Sequence, residues 1–292
     1  MGTPCPFSRW WGAAELQDIL SFLAERSENG LLPFQVQLDA ARLFAASLAE
    51  VEKTALLNEI LPARYQRNRK MITTRQQLTL LESRVAVAGC GGLGGYIVEE
   101  LARLGIGQIV VVDPDVFEEH NLNRQLFSSV ALLGEKKVDA AVQRVAAINP
   151  AVEVRAVCAS LSEQNGPDIL KGAHVAADAL DSVTDRKVLA RVCGRLRIPL
   201  VHGAIAGWFG HLATQFPDDR TLELIYQQDK EPRGIETEMG NPSFTPAVIA
   251  SLQVAEIVKI LLQTGEILHN MYLAVDLYHM EVNTFPLKPI QE

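Results

Sequence analysis

The sequence predicts an α/β fold of the Rossmann-like, doubly wound kind. The sheet is expected to be mostly parallel with an antiparallel C-terminal part, preceded by an N-terminal helical extension. Three observations carry this. Short apolar runs alternate with helix-length amphipathic stretches from Arg84 onward. A glycine-rich turn joins the first such run to the first such helix. Before position 63 the apolar residues repeat only at helical spacing.

In chain order, Leu16, Ile19, Leu20 and Leu23 fall at i, i+3, i+4 and i+7, which predicts one amphipathic helix. Asn29-Gly30 and Pro33 break it. A longer helix is expected over about 34–61, with Leu38, Leu48, Val51 and Ile60 on its apolar face and Pro62 as its stop. Residues 1–62 thus read as a helical extension and 63–292 as a nucleotide-binding domain. From Arg84 the rhythm is strand 84–88, helix 93–104, strand 109–112, helix 136–148, strand 152–157, strand 173–177, and a helix to about 196. Leu200-Val201 starts another strand. Alternation of this kind implies parallel strands with right-handed crossovers. After Gly207 come short strands and a Pro/Gly/Asp-rich stretch, 217–246, before the last long helix. Gln253, Glu256 and Lys259 interrupt the apolar run 247–262 at spacing three, as in a largely buried helix of a soluble protein rather than a membrane span.

The bulk properties narrow the function. A 292-residue chain that is 48% apolar can bury a full core. A net charge of −8 argues against a nucleic-acid footprint, so any anion site must be built from local cations. None of the four cysteines forms a C-x-x-C pair, so no zinc site is expected. Cys90, Cys158 and Cys193 lie in apolar surroundings and read as buried thiols of a reducing cytoplasm. No basic start followed by an apolar run suggests a signal peptide, and the expected location is cytoplasmic. Trp10-Trp11 reads either as an exposed contact or as core.

Gly89-Cys90-Gly91-Gly92-Leu93-Gly94 follows the first strand and opens a helix. Its glycines permit a tight turn and let phosphate approach the N–H groups at the helix start. Asp113 ends the next strand, where a carboxylate can take both ribose hydroxyls. This much says nucleotide and leaves NAD and ATP open. The following residues favour ATP. Asp113-Pro-Asp115 leads to Asn121-Leu-Asn-Arg124-Gln125, Lys137 starts a helix, and Asp181-Ser182 closes the fourth strand. Cleavage between the α- and β-phosphates needs positive charge and a metal for the departing pyrophosphate. Arg124 and Lys137 can supply the charge, and Asp181 can anchor Mg²⁺. Each has a plainer reading: Arg124 and Lys137 as solvated charges, Asp181 as a helix N-cap.

Taken with the order of these elements, the segment 64–287 resembles the ubiquitin-activating-type adenylyltransferases, the ThiF/MoeB/HesA family. The resemblance rests on Arg64-Tyr-Gln-Arg67, Gly89 to Gly94, the run from Asp113 to Gln125, Lys137, Asp181, and Ser251-Leu-Gln-Val-Ala-Glu256. It implies that Gly92, Asp113, Asn121, Arg124, Lys137 and Asp181 bind ATP and Mg²⁺, with Asp115 supporting the ribose and metal region. It implies a homodimer in which the segment at Arg64-Tyr65 sends an arginine into the partner's site. It also implies a ubiquitin-like sulfur-carrier protein ending in Gly-Gly as substrate, of the molybdopterin or thiamine type. Three departures stand out. The paired C-x-x-C motifs of many members are missing. No cysteine follows position 193, so adenylation without a thioester is expected. Ser182 and Ala190 stand where asparagines are common. The rival readings are adenylation of a peptide or of a modified tRNA base, an NAD-dependent oxidoreductase, and a non-catalytic nucleotide-binding protein.

Overall fold

The computed structural model describes residues 12–227 and 239–287. Trp10-Trp11, Cys5 and much of the Pro/Gly/Asp-rich stretch lie outside the described residues.

The centre is an eight-stranded sheet. Its first strand in the chain, β3 (Arg84–Ala88), lies in the interior of the sheet. On one side come β4 (Gln108–Val112) and β5 (Glu153–Val157), and on the other β6 (Val175–Asp178) and β7 (Leu200–Ala206). All four of these joins are parallel. Beyond β7 the sheet turns antiparallel, through β8 (Phe209–Gln215), β9 (Met271–Asp276) and β10 (Glu281–Pro286). The interior strands β3 and β4 are near-continuous apolar runs because both their faces are covered, whereas the edge strand β5 is largely exposed and carries Glu153 and Arg155. One face carries α4 (Thr74–Leu81), α5 (Gly92–Leu104), α6 (Lys137–Ile148) and α10 (Phe244–Leu262). The other carries α7 (Gly166–Leu170), α8 (Val183–Leu196) and α9 (Thr221–Ile225).

Helix α10 is long and apolar enough to cross a membrane by length and composition. Its polar stripe, however, points into the protein. Gln253 Nε2 donates to the carbonyls of Asp178 (2.8 Å) and Val201 (3.2 Å). Glu256 Oε1 accepts from Thr214 Oγ1 (2.9 Å) and the Leu268 amide (2.6 Å). These buried polar groups pair with the sheet and its following loop, and so fix the helix in one register.

Ahead of the sheet, α1 (Ala13–Glu25) buries Ile19 and Leu23, as its spacing predicts, while Leu16 is exposed. The long helix expected over 34–61 is instead two, α2 (Phe34–Leu43) and α3 (Leu48–Leu57). Ala45 takes φ +48° and Ser47 starts α3 with a capping box to Glu50. The Ser-x-x-Glu signature marks a helix start, yet the apolar spacing continues across it and masks the break. Nor does Pro62 stop a helix. Leu61–Pro62 (β2) pairs in parallel with Leu31–Leu32 (β1). Ile19, Leu23, Leu32, Ala40, Val51, Ala55 and Ile60 form the apolar cluster of this region.

Candidate nucleotide site

A cavity of about 350 Å³ opens at the carboxyl ends of β3, β4 and β6. At β3 the strand order reverses, and ligands of open α/β sheets bind at such switch points. Two glycines build the turn. Gly89 has φ +97°, and a Cβ there would sit 2.5 Å from the Ala179 carbonyl oxygen, so only glycine lets the exits of β3 and β6 come together. Gly94 lies against the Gly89 carbonyl, which a Cβ would meet at 1.9 Å. Gly91 caps α5, and Gly91, Gly92 and Leu93 line the cavity, presenting the start of a helix of 13 residues.

Asp113, buried at the end of β4, ties the loop down. Its Oδ2 accepts from the Cys90 amide at 2.6 Å and its Oδ1 from the Asp115 amide at 2.8 Å. Both oxygens therefore carry one backbone bond already and keep their remaining lone pairs for a ligand. Burial raises its pKa, against the Cys90 N–H and the Lys137 charge. Lys137 Nζ lies 2.9 Å from Asp115 Oδ2, with the lysine buried and the aspartate largely exposed. Arg124 donates to His120 O and Asn123 Oδ1, and the Asp181 carboxylate works against the desolvation that lowers its pKa. Asp181 is exposed at the mouth. Gln125 is buried, and its Oε1 has no hydrogen-bond partner, leaving an acceptor for a ligand donor.

The cavity therefore gathers Gly89, Gly91, Gly92, Asp113, Asp115, Arg124, Gln125, Lys137 and Asp181. Other expected residues lie elsewhere. Gly94 supports the turn from below. Asn121 is buried, and its Oδ1 accepts from the Glu118 amide at 3.0 Å, fixing the turn that carries Arg124. Ser182 caps α8 by accepting from the Asp185 amide at 3.3 Å, so the cap is this residue and not Asp181. Ala190 lines a second cavity behind α8, with Lys187 and Arg191, so its missing amide takes no donor from the nucleotide cavity. Asp185, Arg186 and Asn241 also line the nucleotide cavity. The first two follow Asp181 by four and five residues on α8, a spacing that could have marked them. Asn241 arrives from a distant segment and carries no local signal.

Arg64 departs furthest from expectation. It is held within its own chain by Glu52 Oε1 (2.5 Å), Asn149 Oδ1 (2.5 Å) and Gln37 Oε1 (3.0 Å). Tyr65 OH donates to Glu52 Oε2 and accepts from Asn149 Nδ2. Arg64 thus pins α2 and α3 to the end of α6 and does not line the cavity. Burial pushes the Glu52 carboxyl up to about 7, against the pull of Arg64 and Tyr65. Cys158 is a second correction. It is exposed at the end of edge strand β5, where the apolar neighbours along the chain do not cover it. Cys90 and Cys193 are buried, and burial with the nearby Asp178 pushes the Cys193 thiol up to about 12.

Residues 65–292 match the ThiF family. The SAMP-activating enzyme E1 of Haloferax volcanii is 36% identical over 211 residues, 72% of this chain and 78% of that protein. The sulfur carrier protein adenylyltransferase of Thermus thermophilus is 32% identical over 208 residues, 68% of this chain and 77% of its own length. The chain spans 53% of the adenylyltransferase and sulfurtransferase MOCS3 of Arabidopsis thaliana, at 30% identity. Among solved structures, E. coli MccB with MccA-N7isoASN covers 100% of this chain and 93% of that one, with a TM-score of 0.65 at 16% identity. E. coli tRNA N6-threonylcarbamoyladenosine dehydratase, TcdA, in complex with ATP covers 68% of this chain and 94% of its own, with a TM-score of 0.59 at 22% identity. These structural likenesses are of fold.

Proposed function

The chain belongs to the ThiF family and is an adenylyltransferase, and from that premise we propose that it uses ATP and Mg²⁺ to activate the C-terminal Gly-Gly carboxylate of a ubiquitin-like sulfur-carrier protein. The observation that carries this reading is the cavity itself. A glycine loop and a ribose-suited carboxylate, Asp113, share one space with two cations, Arg124 and Lys137, and an open carboxylate, Asp181. A dinucleotide needs only its pyrophosphate cradled; the extra cations suit a phosphate that gains charge as it reacts.

The chemistry is displacement at phosphorus. A carrier carboxylate oxygen bonds to the α-phosphorus, the α–β bridging P–O bond breaks, and pyrophosphate leaves with the electron pair. No general base is required, because a carboxylate is already ionised near neutrality. Catalysis is then positioning and neutralisation of charge. The start of α5 cradles phosphate oxygens, Asp113 takes the ribose hydroxyls, and Arg124 and Lys137 balance the equatorial and departing oxygens. Lys137 releases Asp115 to do so, and that aspartate is exposed enough to be hydrated alone. The residues fit a magnesium ion, which favours one or two carboxylates with substrate phosphates: Asp181 is exposed and makes no hydrogen bond to the described residues. Bound there, Mg²⁺ would neutralise the leaving pyrophosphate. The product is the acyl-adenylate, and residues 194–292 hold no cysteine to receive it as a thioester. In a homodimer, Arg64 is not free to cross to the partner. Arg67, exposed three residues on, is the arginine of that segment that can.

A second reading keeps the same site and chemistry with a peptide carboxylate as substrate. Pyrophosphate–ATP isotope exchange tests both readings. Exchange stimulated by one Gly-Gly-ending carrier, and lost when its last glycine is removed, supports the carrier; stimulation by a short peptide alone supports the second reading. Asp181→Ala should lower exchange at least ~10²-fold with the fold intact, and normal turnover in that variant would refute the assignment.

A further inference from the structure

Behind the cavity, three buried side chains close a ring with Arg186, which also lines the cavity, and the chemistry above uses none of the four. Asp178 ends β6, His202 lies on β7, Arg186 on α8, and Tyr226 just beyond α9. Asp178 Oδ2 accepts from His202 Nδ1 at 2.7 Å, and His202 Nε2 meets Tyr226 OH at 3.0 Å. Arg186 donates to Tyr226 OH at 2.9 Å, and its Nε comes back to 4.0 Å from Asp178 Oδ2. His211 Nε2, on β8, stands 3.0 Å from the same His202 nitrogen. The four ring residues are between 0% and 5% exposed. A polar network this deep is costly unless every member is paired, and then it is rigid.

The ring encloses one residue. Leu180 lies between β6 and α8, immediately before Asp181. Its N–H is taken by Asp178 Oδ1 at 3.0 Å, and its carbonyl accepts from Arg186 Nη2 at 2.7 Å and Nε at 3.1 Å. The peptide linking Leu180 to Asp181 is therefore held at its carbonyl by Arg186, and the Ala179–Leu180 peptide before it at its N–H by Asp178; Tyr226 contacts the first of these side chains and His202 the second.

We propose that the ring of Asp178, His202, Tyr226 and Arg186 positions the Asp181 carboxylate for the metal-nucleotide, with His202 and Tyr226 as positioning residues that touch neither. Tyr226 orients the guanidinium that grips the Leu180 carbonyl, and His202 orients the carboxylate that grips its N–H. Loss of either contact frees one of the two peptides leading into Asp181 and spreads its carboxylate over several orientations, while the glycine loop and Asp113 are untouched.

This inference rests on Asp181 as the metal-holding residue, so Asp181→Asn is measured alongside. Two ring variants serve. Tyr226→Phe removes one oxygen and keeps the packing. His202→Asn keeps a donor to Asp178 and loses the contact to Tyr226. Mn²⁺ affinity of the protein–ATP complex is read by electron paramagnetic resonance, and metal-free AMP affinity by calorimetry. Both variants should weaken Mn²⁺ binding by up to about 10-fold, the low end of the roughly 10- to 100-fold seen for residues that directly support a metal ligand, because they act one contact further out; AMP affinity should stay within about 2-fold of the parent. In exchange assays the Mg²⁺ requirement should rise by the same factor. Unchanged Mn²⁺ affinity in both ring variants, with Asp181→Asn weakened, would overturn the ring alone. Unchanged affinity in Asp181→Asn would overturn the metal reading beneath it. An equal loss of AMP and Mn²⁺ affinity, or failure of both ring variants to fold, would assign the ring to stability and overturn the proposal.

Discussion

Gly94→Ala tests the packing on which the glycine loop depends. A Cβ at Gly94 would lie 1.9 Å from the Gly89 carbonyl oxygen, where real Cβ contacts stay beyond 3.0 Å, so α5 and the exit of β3 must part by about 1.1 Å. The obstructing atom is backbone and cannot swing aside. Overpacking of this kind costs ~1–3 kcal/mol. Gly95 is the natural control. A Cβ there meets Leu126 Cβ at 3.4 Å, an ordinary contact, and alanine inside a helix is better than glycine by ~0.5–1 kcal/mol. The helix-propensity gain is common to both positions, so the two adjacent substitutions should differ by the overpacking alone, ~1–3 kcal/mol. At the ~2–4 °C per kcal/mol of larger domains, Gly94→Ala should lower Tm by several degrees and Gly95→Ala should leave it unchanged or raise it. Thermal melts followed by circular dichroism read this directly. AMP affinity should fall in Gly94→Ala, because the same opening turns the loop N–H groups away from the phosphate. An unshifted melt for Gly94→Ala, or equal losses for both variants, would refute the steric account.

Lys137→Met should lower pyrophosphate exchange by ~10²–10³-fold with little change in Tm, since the aspartate it leaves behind is largely exposed; a melt that collapses with the activity would contradict this. Glu52 is an acid whose folded-state pKa, about 7, lies above its ordinary 4.5. The folded chain thus holds that proton more tightly, and the contribution to stability is full below pH 4.5 and is lost as pH rises through 7, a loss of about 3 kcal/mol. Glu52→Gln keeps polar contacts to Arg64 and Tyr65 and should flatten that decline in urea unfolding; parallel curves for variant and parent would refute the assignment. Brief alkylation with iodoacetamide, followed by peptide mass mapping, should modify Cys158 well before Cys90 or Cys193, which are buried. Comparable labelling of Cys90 would show that the loop opens readily.

The interior strands of the sheet and the helices α5, α6 and α8 were legible in the sequence, because strands covered on both faces are near-unbroken apolar runs and their helices are amphipathic; the edge strand β5, with Glu153 and Arg155 exposed, was legible from its place in the βα rhythm. The glycine loop, Asp113, Arg124, Lys137 and Asp181 were legible for a related reason. Parallel connectivity brings the carboxyl end of every strand to one edge, so order along the chain becomes proximity in space. Three things were not legible. The break between α2 and α3 leaves the apolar spacing intact and shows only as a cap and a left-handed Ala45. Whether Arg64 faces the nucleotide or Glu52 depends on which carboxylate the fold of the extension brings to it, and a charge carries no sign of its partner. The ring of Asp178, His202, Tyr226 and Arg186 joins four elements that are distant in the chain, and each member alone reads as an ordinary polar residue. The sequence determined the sheet and which residues gather at its edge through local periodicity and strand order, whereas only the tertiary structure decided which polar side chains meet beneath that edge, since burial pairs groups by distance in space and not along the chain.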